Sequence, residues 1–211
     1  MRYTKVSALA AAAVCAVSLS ACGGEDSSGS GGGSEAAAPM ASSAPAGMSG
    51  DTMTRFGAGC AAVPADASDP GSFQAMVKVP VATAASGNPL LTTLVAAVKK
   101  AGLVDSLNSA DGITVFAPTD DAFAKIPKAD LAKVLADKKT LTSILTYHVV
   151  PQRLAPADLA GTHKTLQGDP LTVSGSGEMF QVAGKASVVC GNVQTANATV
   201  YIVDSVLMPK G

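Results

Sequence analysis

Residues Ile113–Phe123 read ITVFAPTDDAF, and no other stretch constrains the fold as strongly. Ile113, Thr114, Val115 and Phe116 are strand formers, and their alternation leaves one face for a core. Pro118 is expected to stop the strand, because proline cannot donate a ladder hydrogen bond. Thr119 then has the chemistry of a helix N-cap, its hydroxyl accepting from an amide two or three residues on. Asp120 and Asp121 fall in the first turn, where carboxylates meet the positive end of the helix dipole. Phe123, at the fourth helical position, is expected to pack back over Pro118. A strand thus runs straight into a capped helix, with an aromatic on each side of the join.

The chain begins with a short basic segment containing Arg2 and Lys5, followed by Val6–Leu19, which is apolar or small. At about 14 residues this run has the length of a secretory h-region and falls short of the roughly 20 needed to span a bilayer. Leu19-Ser20-Ala21-Cys22 follows. This order resembles the lipobox of bacterial lipoproteins, in which the cysteine is acylated and the chain is cut just before it. The expectation is a signal peptide over 1–21 and a lipidated Cys22 on the extracytoplasmic face of the membrane. The plainer alternative is an ordinary signal peptide with Cys22 incidental. Residues 22–59 are rich in Gly, Ser, Ala and Pro and bury too little apolar surface to offset their conformational entropy. As a flexible tether they would hold their ends about 30–37 Å apart, and stretched they would reach roughly 120 Å. Met40, Met48 and Met53 lie in or near this segment; without a histidine among them they make a weak Cu(I) site, and no metal or cofactor is expected.

Residues 60–211 have the composition of a globular domain, about 150 residues and enough for one core. The formal charge of the chain is −1, and aromatics are 4% of its residues. With no basic block, nothing points to nucleic acid. Cys60 and Cys190 form an even pair in an exported domain. They read as a disulfide, against the alternative of two free buried thiols.

Helices dominate the first half. Ser72 is placed to cap a short helix reaching Lys78. Asn88-Pro89 supplies an N-cap and a first-turn proline, and Leu90, Leu91, Leu94, Val95, Val98 and Ala101 keep one apolar face. Lys99, Lys100 and Gly102 suit that helix's C-terminus. A further short helix holds Leu103, Val104 and Leu107, and two more are expected over Lys128–Ala136 and Lys138–Thr146. The second half reads as strands: Tyr147–Val150, Thr162–Leu166, Leu171–Ser174, Met179–Val182, Ala186–Cys190, Val193–Thr195 and Thr199–Val203. Short strands spaced by Gly turns suggest an antiparallel meander, and helices segregated before strands suggest an α+β fold. Ile113–Phe116 must then cross back to join a sheet built mostly later.

Three separated motifs now agree. TVFAPTDDAF (Thr114–Phe123), the Tyr147-His148 pair after LTSIL, and NATVYIVDSVLMP (Asn197–Pro209) resemble, in order, the motifs of the fasciclin domain. LLTTL, VFAPTD, LTSILTYHVV, TLQG and VVCGNVQTANATVY are similar to single-domain mycobacterial surface-lipoprotein and secreted antigens of that family. The resemblance implies a compact wedge with a mostly antiparallel sheet and a disulfide where Cys60 and Cys190 stand. It also implies adhesion or surface contact without a known catalytic site. In some animal fasciclin domains the Tyr-His region is linked to integrin contact, which makes Tyr147 and His148 the candidate binding residues.

Catalytic constellations are thin. His148, at a helix-to-strand join, reads as a buried hydrogen-bonding post, and His163 as exposed at a strand start. There is no G-x-S-x-G elbow, and Ser176 between two glycines reads as a hairpin turn. Asp120 and Asp121 point about 100° apart on a helix and do not converge on a metal or proton. Asp204 reads as structural, satisfying backbone amides near the first motif. Asn197-Ala198-Thr199 is formally a glycosylation sequon but reads as the start of a strand. The reading is a non-enzymatic, lipid-anchored protein that binds a surface or matrix protein or an envelope glycan. The alternative is a carrier of a small apolar ligand or lipid, which an apolar pocket of a few hundred Å³ would favour. A third class, an envelope hydrolase, would need His148 or His163 exposed beside a nucleophile.

Overall fold

The computed structural model describes residues 55–209, so the segment 1–21, Cys22 and Met40, Met48 and Met53 lie outside the described residues. Helices come first: α1 (Phe73–Met76), α2 (Val81–Gly87), α3 (Thr92–Ala101) and α4 (Val104–Ser109). After strand β1 (Ile113–Pro118) come α5 (Asp120–Ala124), α6 (Lys128–Ala136) and α7 (Lys138–Tyr147). The remaining strands are β2 (Val149–Val150), β3 (Gly161–Lys164), β4 (Pro170–Ser176), β5 (Met179–Val182), β6 (Ala186–Gln194) and β7 (Ala198–Val203). They form one sheet in the order β2-β1-β7-β6-β5-β4-β3. Strands β3 to β7 make the expected antiparallel meander, and β1 crosses back to pair in parallel with β7. The fold is α+β.

The corner motif forms largely as its residues dictate. Thr119 caps α5, accepting from the Ala122 amide at 3.2 Å, and Asp120 and Asp121 occupy the first turn. Three details differ from expectation. The strand runs through Pro118, in register with Val203. The Phe116 amide donates to the His148 carbonyl, so the imide nitrogen of Pro118, two residues on, faces the side where β2 has already ended. No ladder bond is lost, and proline is tolerated as on an edge. Second, β1 is buried on both faces. Val115 and Ala117 join Val200 and Ile202 in a core beneath the helices, while Phe116 joins Tyr201 and Val203 in a second core. Third, the aromatics flanking the corner part company, Phe123 entering the first core and Phe116 the second.

The second core shows how far the sheet curls. Leu171 of β4 and Phe180 of β5 share it with Phe116 of β1, although two strands separate β5 from β1 in the sheet. Phe56 sits among them, its ring centroid 5.5 Å from Phe180 and 6.2 Å from Tyr201. Phe56 also exchanges backbone hydrogen bonds with Gly191, where a Cβ would run into the Phe56 ring. Phe56, four residues ahead of Cys60, is thus part of the second core. The Cys60–Cys190 disulfide closes 130 residues with Cα atoms 4.8 Å apart, fastening the 3-10 turn Ala58–Ala62 to β6.

Helix α2 has no capping side chain of its own, since Pro80 precedes it, and its caps come from far away in sequence. The Val81 amide donates to Asn197 Oδ1 at 2.9 Å, and the Ala82 amide to Asn108 Oδ1 at 3.0 Å. Helix α3 ends at Gly102 in the left-handed conformation, φ 75°. The two expected strands Ala186–Cys190 and Val193–Thr195 are one strand, β6, bulged between Val188 and Val193.

Candidate functional site

Tyr147 is the last residue of α7 rather than part of an extended segment. It is 4% exposed, and its hydroxyl donates to the Pro170 carbonyl at 3.4 Å. Burial, with the Asp169 charge adding to it, pushes the phenol above its ordinary value. His148 follows in the helical conformation as the C-cap and is 2% exposed. Its Nδ1 lies 2.8 Å from the Ile144 carbonyl, and its Nε2 accepts from the Leu207 amide at 3.0 Å. A carbonyl only accepts and an amide N–H only donates, so the ring is the neutral Nδ1–H tautomer. Burial brings its pKa down to about 4, against the opposing bond to Ile144. The imidazole thus fastens the tail at Leu207 to the end of α7. The candidate binding pair Tyr147 and His148 lies inside the molecule, and neither side chain presents a surface.

His163 is half-buried in β3 rather than exposed, its Nε2 3.0 Å from the Leu159 carbonyl. Ser176 pairs with Met179 at the end of β4, so the hairpin turn itself is Gly177-Glu178. Asp120 and Asp121 divide their roles. Asp120 reaches across to α3, accepting from Thr92 Oγ1 at 2.6 Å and from the Thr93 amide at 2.7 Å. It caps a helix whose own N-cap residue, Leu91, has no side-chain acceptor. Partial burial raises the Asp120 carboxyl, and the bonds from Thr92 and Thr93 together outweigh it, holding the group below its ordinary value. Asp204 is structural, but its backbone partner is the Ser187 amide of β6 at 2.8 Å, not one near the first motif; Lys125 just past α5 adds an ion pair at 3.2 Å. Asn197 is 5% exposed, and its Nδ2 donates to the Ala110 carbonyl at 2.6 Å and the Leu107 carbonyl at 2.8 Å. Residue Asn197 is a buried junction between α2, α4 and β7. No group of three or more His, Cys, Asp or Glu side chains with metal-binding geometry occurs among the described residues.

The feature that reading by residue missed is a cavity of about 110 Å³ between the helices and the sheet. Ala84, Leu94, Val98 and Leu107 wall it from α2, α3 and α4, and Val115 and Val200 from β1 and β7. It reaches residues that are themselves exposed, Ser86, Ser106 and Leu166, the last 47% exposed. Asn88 also lines it. Its Oδ1 accepts from the Leu90 amide at 2.9 Å, but its Nδ2 has no hydrogen-bond partner, and the residue is 2% exposed. An unsatisfied buried donor costs about 1–3 kcal/mol. Leaving a cavity of this size unfilled costs about 2–3 kcal/mol at the scale seen for core truncations. The only sequence sign is the run of small residues Ala82, Ala84 and Ala85 in α2, where larger side chains would fill the space.

The described residues thus make an α+β domain with a curled mixed sheet, a disulfide and an apolar cavity. The fasciclin domain model matches residues 89–209, and the chain belongs to that family. It is 52% identical over 159 residues to immunogenic protein MPB70 of Mycobacterium bovis, covering 72% of this chain and 81% of that protein. It is 46% identical over 180 residues to cell surface glycolipoprotein MPT83 of Mycobacterium tuberculosis, covering 82% and 81%. Among solved structures, a FAS1 domain pair from the insect cell adhesion molecule fasciclin I matches at 24% identity and a TM-score of 0.44, covering 56% of this chain and 45% of that one.

Proposed function

We propose that this chain is a lipid-anchored surface protein, residues 1–21 a signal peptide, Cys22 the lipidated residue and 22–59 largely tether. Its fasciclin domain binds a surface or matrix protein or an envelope glycan and performs no catalysis. The location is supported by relatives described as a cell surface glycolipoprotein and an immunogenic protein. The disulfide suits an oxidising compartment outside the cytoplasm. The observation that carries the non-catalytic reading is the state of His148, whose two ring nitrogens are both committed to backbone partners inside the core. Such an imidazole has no lone pair left for a nucleophile's proton.

Fractionation of cells expressing the Cys22→Ala chain tests the anchor. Release into the soluble fraction is expected, and retention in the membrane contradicts it. Saturable binding of the soluble Cys22→Ala chain to immobilised matrix proteins or envelope glycans tests adhesion, and absence of binding to every such surface contradicts it. A second reading, a carrier of a small apolar ligand, is favoured by the cavity beside Asn88. At about 110 Å³ that cavity is smaller than the 300–1,000 Å³ typical of drug-sized sites, so it suits part of a lipid rather than a whole one.

A further inference from the structure

We infer that the segment 205–209 is a strap bridging the two cores, latched by His148 and released by acid. It stands apart from both readings above and needs neither the anchor nor a ligand.

Two observations carry it. The first is how little holds the strap. Strand β7 ends at Val203, whose carbonyl accepts from the Thr119 amide, and the Asp204 amide donates to the Ser187 carbonyl. The Ser205 hydroxyl reaches only its neighbour Asp204. Beyond that, among the described residues, the one hydrogen bond from the strap to another element runs from the Leu207 amide to His148 Nε2 at 3.0 Å. The side chains take opposite sides. Leu207 enters the second core, while Val206 packs against the first. Val206 and Met208 also line a groove walled by Phe123 of α5, Leu131 of α6 and Ile144 of α7. Releasing the strap uncovers that apolar groove.

The second observation is the latch. Nδ1–H of His148 donates to the Ile144 carbonyl, so a proton can enter only at Nε2. There it would set an N–H against the Leu207 N–H and place a cation inside the core. No counter-charge faces the ring. His148 walls two cavities, and no Asp, Glu, Lys or Arg lines either. On α7, Lys138 and Lys139 lie in the first turn, about 14 Å away along the axis. Tyr147 turns its hydroxyl to Pro170. Asp204, at the root of the strap, is taken up by the Ser187 amide and Lys125 just past α5, and Lys133 of α6 pairs with Asp130. Strands β1 and β2 carry no titratable side chain. Lys99 and Lys100 of α3 are exposed.

With the strap closed, burial holds the imidazole down at about 4. With it open, water reaches Nε2 and the ring takes a proton near its ordinary 6.5, still bonded to Ile144. The open form therefore binds the proton more readily. The closed form keeps its full advantage above about 6.5 and loses it as pH falls toward 4. The open fraction should be about thirtyfold larger at pH 5 than at pH 7.5.

Amide hydrogen exchange of the full chain carrying Cys22→Ala, followed by NMR and corrected for intrinsic rates, is the test. At pH 7.5 the Leu207 amide should be protected at least tenfold less than that of Tyr201 in β7, marking a strap that opens ahead of the whole fold. Its opening should then rise about thirtyfold by pH 5, with an onset near 6.5. His148→Gln keeps an oxygen acceptor for Leu207 that does not titrate, and the rise should vanish. His163→Gln, at the chain's other imidazole, should leave the rise unchanged. Should His148→Gln fail to fold, the onset in the chain with His148 intact decides: near 6.5 it reports an imidazole, near 4 a carboxylate. Equal protection at Leu207 and Tyr201, an onset near 4, a rise undiminished in His148→Gln or a rise lost in His163→Gln would overturn the latch.

Discussion

At the scale of single residues, the side chains that the motifs pick out turn out to be joints. His148 makes the point most sharply. Unfolded, its imidazole takes up a proton near the ordinary 6.5; folded, it resists until about 4. Between those values the unfolded state binds more protons, so its contribution is complete above about 6.5 and lost as pH falls toward 4. A shift of that size corresponds to about 3 kcal/mol. Urea midpoints should therefore fall between pH 7 and pH 4, and the fall should shrink in His148→Asn. Asn197 is the second joint. Removing its side chain in Asn197→Ala orphans the Val81 amide and the carbonyls it holds together, and should cost about 2–4 kcal/mol by urea denaturation. The sequon it belongs to is a coincidence of packing. The buried character of His148 is legible from an imidazole in an apolar join, but its partner at Leu207 is not, because 59 residues separate them.

At the scale of elements, local chemistry and long-range chemistry separate cleanly. The helices Lys128–Ala136 and α7, the Ser72 and Thr119 caps and the Gly102 stop were all readable, because propensity and capping act within a few residues, whereas Asn88 caps the 3-10 turn Pro89–Leu91 and α3 begins only after it, at Thr92. Helix α2 was not, because the acceptors for its first two amides lie on Asn197 and Asn108. The passage of β1 through Pro118 was hidden for the same reason, since only the end of β2 makes that nitrogen harmless. The paired aspartates give a direct check. Asp120→Ala removes the cap of α3 and should cost about 1 kcal/mol. Asp121→Ala, at an exposed position, should stay within about 0.5 kcal/mol. Thermal unfolding of the two variants side by side measures the difference.

Across the described residues, β1 and β7 are buried on both faces and separate two cores, and the disulfide fastens the Ala58–Ala62 turn to β6. Replacing both cysteines (Cys60→Ala with Cys190→Ala) should lower stability by about 2–5 kcal/mol while leaving the strand pairings intact. A drop in denaturant midpoint with retained far-UV circular dichroism checks it. The two-core arrangement was only half legible: Val115, Phe116 and Ala117 form the continuous apolar run of a strand buried on both faces, but Thr114 beside them makes the start of β1 read as alternation. The cavity was barely legible: the small side chains of Ala82, Ala84 and Ala85 are its only trace in the sequence.

The Tyr147-His148 join is buried scaffold, which leaves recognition to the outer surface or to the cavity. Ring-nitrogen chemical shifts of His148 against pH test this most directly. The expected result is a protonated Nδ1, a bare Nε2 hydrogen-bonded to the Leu207 amide, and no titration between pH 8 and pH 5. A midpoint near 6.5 with rapid solvent exchange would contradict it.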